Sequence, residues 1–226
     1  MSSEAAAAEA ADCPQCLKPK ALCVCDEITP IGNRVAVLVL QHPQEQDRLL
    51  GTARLALAHL KKGQLKIGLS WPSLTKALGR PADPQRWAVL YLGSARAAAL
   101  APGRDVVVLD KKGVAAHPDQ EAVLKEIEGV VVLDGSWSQA KALWWRNAWM
   151  LKSRRILLAP LRPSRYGKLR REPRRDSLAT IEAVALALAR LEGRPEIAQA
   201  LNRSFEQMLE RYRAARKAGA VPLRSS

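Results

Sequence analysis

The sequence predicts an α/β domain: a mostly parallel sheet with flanking helices, plus a small N-terminal zinc-binding module and a helical C-terminus. Three observations predict it. Six apolar runs of strand length recur between residues 34 and 159, with helix-compatible stretches between several of them, as when strands are joined by helical crossovers. The first run, Arg34-Val-Ala-Val-Leu-Val-Leu-Gln41, is continuously apolar, as suits a strand covered on both faces. All four cysteines fall between positions 13 and 25.

Residues 1–12 are acidic and Ala-rich, with neither a basic start nor an apolar block. They read as a disordered leader, not an export signal, and a cytoplasmic location is the expectation. Cys13, Cys16, Cys23 and Cys25 follow in the spacing C-x2-C-x6-C-x-C. Without an export signal, such a cluster suggests thiolate coordination of zinc; a redox or incidental cluster is the alternative. Four protein thiolates would close the coordination sphere, so the site reads as structural. Residues 13–33 form this module.

The main domain is expected over 34–219, with 220–226 a flexible tail. After the strand at 34–41, a helical pattern runs over 48–61 with Leu50, Leu55, Ala58 and Leu60. Further strands are predicted at 65–69, 87–92, 105–109, 129–134 and 155–159, with helical stretches at 118–128 and 136–150. Residues 160–173 are rich in Pro, Gly and Arg and read as a loop. Asp176 is placed to cap a helix bearing Leu178, Ile181, Ala185, Leu188 and Leu191. Arg194-Pro195 separates it from a second amphipathic helix over 196–218.

At 226 residues the chain has room for one domain with a small appendage and a real core. Its 48% hydrophobic and 26% charged content is that of a globular protein. No stretch approaches the roughly 20 apolar residues of a membrane span. The net charge of +14 favours a polyanionic partner, nucleic acid first; a general solubility surplus is the alternative.

Chemistry concentrates in Val130-Val-Val-Leu-Asp-Gly-Ser-Trp-Ser-Gln-Ala-Lys141, where a strand ends at Asp134, Gly135 turns the chain and a helix starts near Ser136. Ligands of open α/β sheets bind at such strand ends, where helix N-termini point inward. Asp134 is placed to act as a base or hold a polar ligand, and Trp137 offers a flat apolar surface at the same mouth; helix capping and simple packing are the alternatives.

Here the sequence resembles the DTW-domain proteins, the tRNA-uridine aminocarboxypropyltransferases, in the bacterial type with an N-terminal four-cysteine motif. The cysteine cluster with Pro19, the His42-Pro43-Gln44-Glu45 element, Thr52-Ala53-Arg54-Leu55, Asp134-Gly135-Ser136-Trp137 and Thr180-Ile181-Glu182-Ala183 match the family in order over residues 13–210. Ser136 stands where the D-x-T-W signature has Thr, keeping the hydroxyl, and Gly51 stands where the family often has Asn.

The resemblance implies a fold related to the SPOUT-type knotted α/β proteins. It implies S-adenosyl-L-methionine as co-substrate and tRNA as partner. The 3-amino-3-carboxypropyl group would pass to N3 of a loop uridine, the variable loop being expected, with 5′-methylthioadenosine leaving. Asp134 is then the first candidate for the catalytic base and Glu182 the second. Cofactor contacts are expected from Leu92, Gly93, Ser94, Asp134, Gly135, Ser136, Trp137, Leu158, Leu161 and Thr180.

Twelve basic residues lie between 141 and 175 against Glu172 alone, a net +11. Arg162, Arg165, Lys168, Arg170, Arg171, Arg174 and Arg175 are the expected tRNA contacts, through phosphates and stacking; a solvated basic loop is the alternative. Trp137, Ala140, Trp144 and Ala148 share one helical face and are expected in the core. Trp145 and Trp149 lie off that face; packing is expected for both, with RNA or a second subunit as the alternative. His42 could orient a ligand or the turn. Two rival readings are a SPOUT-like RNA methyltransferase and a non-catalytic zinc-containing RNA-binding protein. No membrane partner is expected, and monomer and homodimer remain equally open.

Overall fold

Six strands form one sheet in the computed structural model, which describes residues 12–46, 48–90, 106–109, 120–159, 162–167, 169 and 178–220. They are β1 (Ala36–Gln41), β2 (Gly63–Ile67), β3 (Trp87–Leu90), β4 (Val106–Leu109), β5 (Gly129–Asp134) and β6 (Arg154–Leu158). The order is β2-β1-β5-β3-β6-β4. Every neighbouring pair is parallel except β4 with β6, which puts one antiparallel strand at the edge. The described helices are α1 (Ala53–Ala58), α2 (Leu74–Leu78), α3 (Gln120–Lys125), α4 (Trp137–Arg146), α5 (Thr180–Glu192) and α6 (Pro195–Lys217). No described helix is long and apolar enough to cross a membrane.

Strand side chains alternate between two cores, which is why the runs are apolar throughout. Val37, Val39, Val130 and Val132 join a large cluster with α1, α5 and α6. Leu38, Leu40, Val131 and Leu133 join a smaller one with α2 and α4, through Leu74, Ala140 and Leu143. Gly129 is demanded by the smaller core: a Cβ there would lie 2.5 Å from Trp87 ring carbons. The cysteine module is not a detached bead. Leu22 and Val24 belong to the large cluster, and Arg211 of α6 donates to the Cys23 carbonyl and pairs with Glu27.

Among the described strands the topology sets a switch-point crevice beside β1 and β5. β1 leads through α1 to β2 on its outer side, while β5 leads through α4 past β3 to β6. β1 and β5 are adjacent and parallel, with Gln41 opposite Asp134, so the two connections diverge at their carboxyl ends. Such a switch point is where open α/β sheets bind ligands.

Several expectations change. The helix predicted over 48–61 shortens to α1, because Leu49–Gly51 forms a turn gripped from outside. The helix predicted from Asp176 begins at Thr180; Asp176 lies outside the described residues. The stretch at 136–150 breaks after Arg146, where Asn147 leaves the helical region at φ −123 and ψ 67. Its amide accepts from the Trp71 N–H at 2.8 Å and donates to the carbonyls of Leu69 and Leu143. The predicted tryptophan face is wrong in part. Ala140 and Leu143 are buried and Trp144 packs beside them, but Trp137 is 39% exposed, because the first turn of α4 lies beyond the end of β5. Ala148 is exposed too, and the 3-10 turn Ala148–Lys152 rolls Trp149 inward instead. Trp145, for which packing was expected, is 75% exposed.

Candidate active site

Asp134 closes β5 with its carboxylate held from both sides. The Gln41 side-chain amide donates to Oδ2 at 2.7 Å, and the Thr180 hydroxyl donates to Oδ1. These bonds fix the carboxylate plane across three elements, β1, β5 and α5, and among the described residues leave a lone pair free on each oxygen. Asp134 itself is only partly buried, so the carboxylate reaches the crevice. The His42 N–H donates to the Asp134 carbonyl at 2.9 Å, which carries the β1–β5 ladder into the loop.

The turn after Asp134 is built by a capping box. Ser136 Oγ accepts from the Gln139 N–H, and Gln139 Oε1 accepts from the Ser136 N–H at 2.6 Å. A Cβ at Gly135 would lie 2.9 Å from Gln139 Cβ, so only glycine lets this turn close. Gln139 also donates to Gln44 at 3.1 Å, which ties the His42–Glu45 turn to the N-terminus of α4. His42 Nδ1 accepts from the Gln44 N–H, so the histidine caps its own turn.

Glu182 follows Thr180 by two residues, on the other side of the helix, and is buried. Its oxygens accept from Ser164 Oγ at 2.6 Å, from the backbone N–H of Arg165 and of Ala179 at 2.9 Å, and from the Arg165 guanidinium at 3.3 Å. The carboxylate is thereby spent on anchoring the basic segment 162–167 beside the crevice. Arg165 also pairs with Glu206 at 2.7 Å, so its charge is matched by two carboxylates although it is exposed, as Arg162 is.

Behind the crevice, one turn is gripped twice. Lys18 of the cysteine module is buried, and its Nζ donates to the carbonyls of Leu49 and Gly51, each at 2.7 Å. Tyr166 of the basic segment donates to the Leu50 carbonyl at 2.5 Å and packs edge-on against Phe205. Thr52 follows and accepts from the Ile181 N–H, next to Thr180. Burial pulls the Lys18 ammonium down to about 8, against the opposing pull of the nearby thiolates and Asp134.

The four cysteine sulfurs lie within 4.8 Å of one another and form no disulfide. A tetrahedral zinc with Zn–S near 2.3 Å sets sulfurs about 3.8 Å apart, so the set fits such an ion. Burial pushes the Cys16 thiol up to about 11, so thiolate there calls for a cation.

Of the sequence-predicted residues, Asp134, Gly135, Ser136, Trp137 and Thr180 come together at the mouth. Leu158 ends β6, two strands away from β5. Leu92, Gly93, Ser94, Leu161, Lys168, Arg170, Arg171, Arg174 and Arg175 lie outside the described residues. Sequence reasoning missed Gln41, Lys18, Ser164 and Tyr166, and Thr52 entered only as part of a matched element. Gln41 left a signal, an amide ending an otherwise apolar strand; the others left none, because their partners are far away in the chain.

The chain matches the DTW domain over residues 10–213. It is 31% identical over 200 residues to the Drosophila melanogaster protein named tRNA-uridine aminocarboxypropyltransferase 2, covering 87% of this chain and 72% of that one. Proteins of the same name from Mus musculus and Macaca fascicularis are 26% and 24% identical, each over 87% of this chain and 62% of theirs. No solved structure matches the chain significantly.

Proposed function

The chain belongs to the DTW-domain family, and from that premise we propose that it is a tRNA-uridine aminocarboxypropyltransferase using S-adenosyl-L-methionine. The observation that carries the reading is the Asp134 carboxylate, held by Gln41 and Thr180 at the switch point of the sheet, where three of the matched elements meet.

The reaction needs little beyond placement. A sulfonium is already electrophilic at three carbons, and orientation selects the γ-carbon of the methionine arm. The uridine N3 lone pair forms the new C–N bond as the C–S bond breaks, its electrons leaving with 5′-methylthioadenosine. The N3 proton passes to a carboxylate, and Asp134 is the group that faces the crevice. Glu182, with its oxygens committed to Ser164, Arg165 and Ala179, acts as the positioning residue for the basic segment. Gly135, Ser136, Trp137, Leu158 and Thr180, with the strand-end loops at 92–94 and 161, form the cofactor wall in this reading. Arg162, with Lys168, Arg170, Arg171, Arg174 and Arg175, supplies phosphate contacts, and Arg165 braces them. Cys13, Cys16, Cys23 and Cys25 hold a structural zinc. A SPOUT-like knotted form, the division into 1–12, 13–33, 34–219 and 220–226, and a cytoplasmic setting belong to the same reading.

Incubation with unmodified tRNA and S-adenosyl-L-methionine, followed by nucleoside mass spectrometry, tests it. The expected product is 3-(3-amino-3-carboxypropyl)uridine, with methylthioadenosine released. Methylated RNA with S-adenosylhomocysteine would instead make it a methyltransferase, and binding without modification an RNA-binding protein. Asp134→Asn is expected to lower kcat by about 10²–10⁴-fold, the usual worth of a general base. Near-normal turnover with normal cofactor binding would remove Asp134 from that role.

A further inference from the structure

We propose that the outer face of α4, carrying Lys141 and Trp145 outward of Trp137 in the cofactor wall, is a second RNA-contact surface on which unpaired bases of the substrate RNA stack. The inference rests on the reading of the adjacent crevice as an RNA-modifying site. Trp137, Lys141 and Trp145 are spaced four residues apart and form a row along one side of the helix, all exposed. At 1.5 Å per residue the row spans about 12 Å, the reach of a few nucleotides. It begins three residues after Asp134, at the crevice mouth, and runs outward.

The row is not left over from packing. Trp87 and Trp149 are buried, and Trp144 packs against the smaller core, yet Trp145 stands 75% exposed. Lys141 and Arg146 are the only charged side chains on α4, so the surface combines flat aromatics with cations and carries no acid. That combination suits single-stranded nucleic acid, since rings stack on any base while ammonium and guanidinium groups meet phosphate. The position adds a functional reason. The segment 162–167 is anchored by Glu182 and Tyr166 to the large-core side of the sheet, whereas α4 lies on the small-core side. RNA crossing the strand ends would meet phosphate contacts on one side and stacking on the other, with the target base between them at Asp134. A base modified at N3 must leave its pair, and an unpaired neighbour then needs a new stacking partner.

The test measures tRNA affinity against salt concentration for the wild-type protein, Trp145→Ala, Trp145→Phe and Lys141→Ala, with sedimentation to read oligomeric state. Trp145→Ala is expected to weaken binding roughly tenfold without changing the salt slope. Trp145→Phe is expected to recover most of that loss, and Lys141→Ala to reduce the slope by about one phosphate. Unchanged affinity for Trp145→Ala in a protein that modifies tRNA overturns the surface and leaves the enzymatic reading standing. A protein that binds tRNA through Trp145 but yields no modified nucleoside overturns the enzymatic reading instead. A dimer that falls apart on Trp145→Ala would show that a second copy of the chain covers this face, and would also overturn the proposal.

Discussion

The two faces of the sheet are built to different ends. The large-core face carries α1, α5 and α6, the cysteine module and the anchored segment 162–167. Its polar bonds converge on the crevice: Lys18 and Tyr166 grip residues 49–51, Thr52 receives Ile181, and Thr180 reaches Asp134. The small-core face carries α2 and α4, seats Ala140 and Leu143, and turns Trp145 to solvent. One face therefore sets the geometry of the site, while the other offers a surface beside it. Disturbances on the first should spread to Asp134; disturbances on the outer side of the second should stay local.

The largest effect is expected from the cysteine cluster. Cys16 is buried, and the module shares Leu22 and Val24 with the large core, so losing the proposed zinc would loosen more than the module. Metal coordination of this kind contributes directly to folding free energy. Cys16→Ser, or removal of the metal by a chelator, is expected to cost about 3–5 kcal/mol and lower Tm by about 10 °C. Differential scanning calorimetry with zinc analysis checks this. By contrast Trp145→Ala should stay within about 0.5 kcal/mol, as exposed substitutions usually do. Equal losses on both faces would break the comparison.

Lys18→Met tests how the first face transmits its order. The substitution removes two charge-assisted bonds, to Leu49 and Gly51, but also a buried ammonium, so a net loss of about 1–2 kcal/mol is expected. Hydrogen exchange should quicken at residues 49–52 and at Thr180 more than in the middle of α6. Uniform quickening across the large core would make Lys18 a general stabiliser without a special link to the crevice.

Legibility in the sequence follows the range of the interactions. The β5 run, its terminal Asp134, the glycine turn and the helix start near Ser136 were readable because each is set within a few residues. The start of α5 was misplaced because Asp176 supplies a local capping signal, whereas the helix begins where Thr180 bonds to Asp134, 46 residues away. Lys18 was invisible for the same reason: its partners stand 31 and 33 residues off. The face of α4 was misjudged because helical periodicity says which residues align, not how far the sheet extends beneath them. The five ordered elements made the family readable, yet they did not separate Asp134, which reaches the switch point, from Glu182, whose oxygens are committed to the basic segment.

The smallest predicted effect concerns acid, and it too should divide the faces. His59 ends α1 deep in the large core, its Nε2 3.0 Å from Ser204 Oγ of α6, and its Nδ1 has no partner among the described residues. Burial lowers its pKa from 6.5 to about 4. The unfolded chain therefore takes up a proton below pH 6.5 that the folded protein refuses until about pH 4. Stability from this residue is full above 6.5 and declines as pH falls through that window, by at most about 1.4 kcal/mol per pH unit. His59→Gln keeps a hydrogen-bonding group near Ser204 but cannot titrate, so its denaturant midpoints should run flatter than wild type between pH 6.5 and 5. Parallel profiles would show that His59 is not the acid-sensitive group. Asn147 and Ser153, beyond the C-terminal end of α4, are buried polar residues that do not titrate. Acid should thus loosen the scaffold behind Asp134 before it touches the face that bears Trp145.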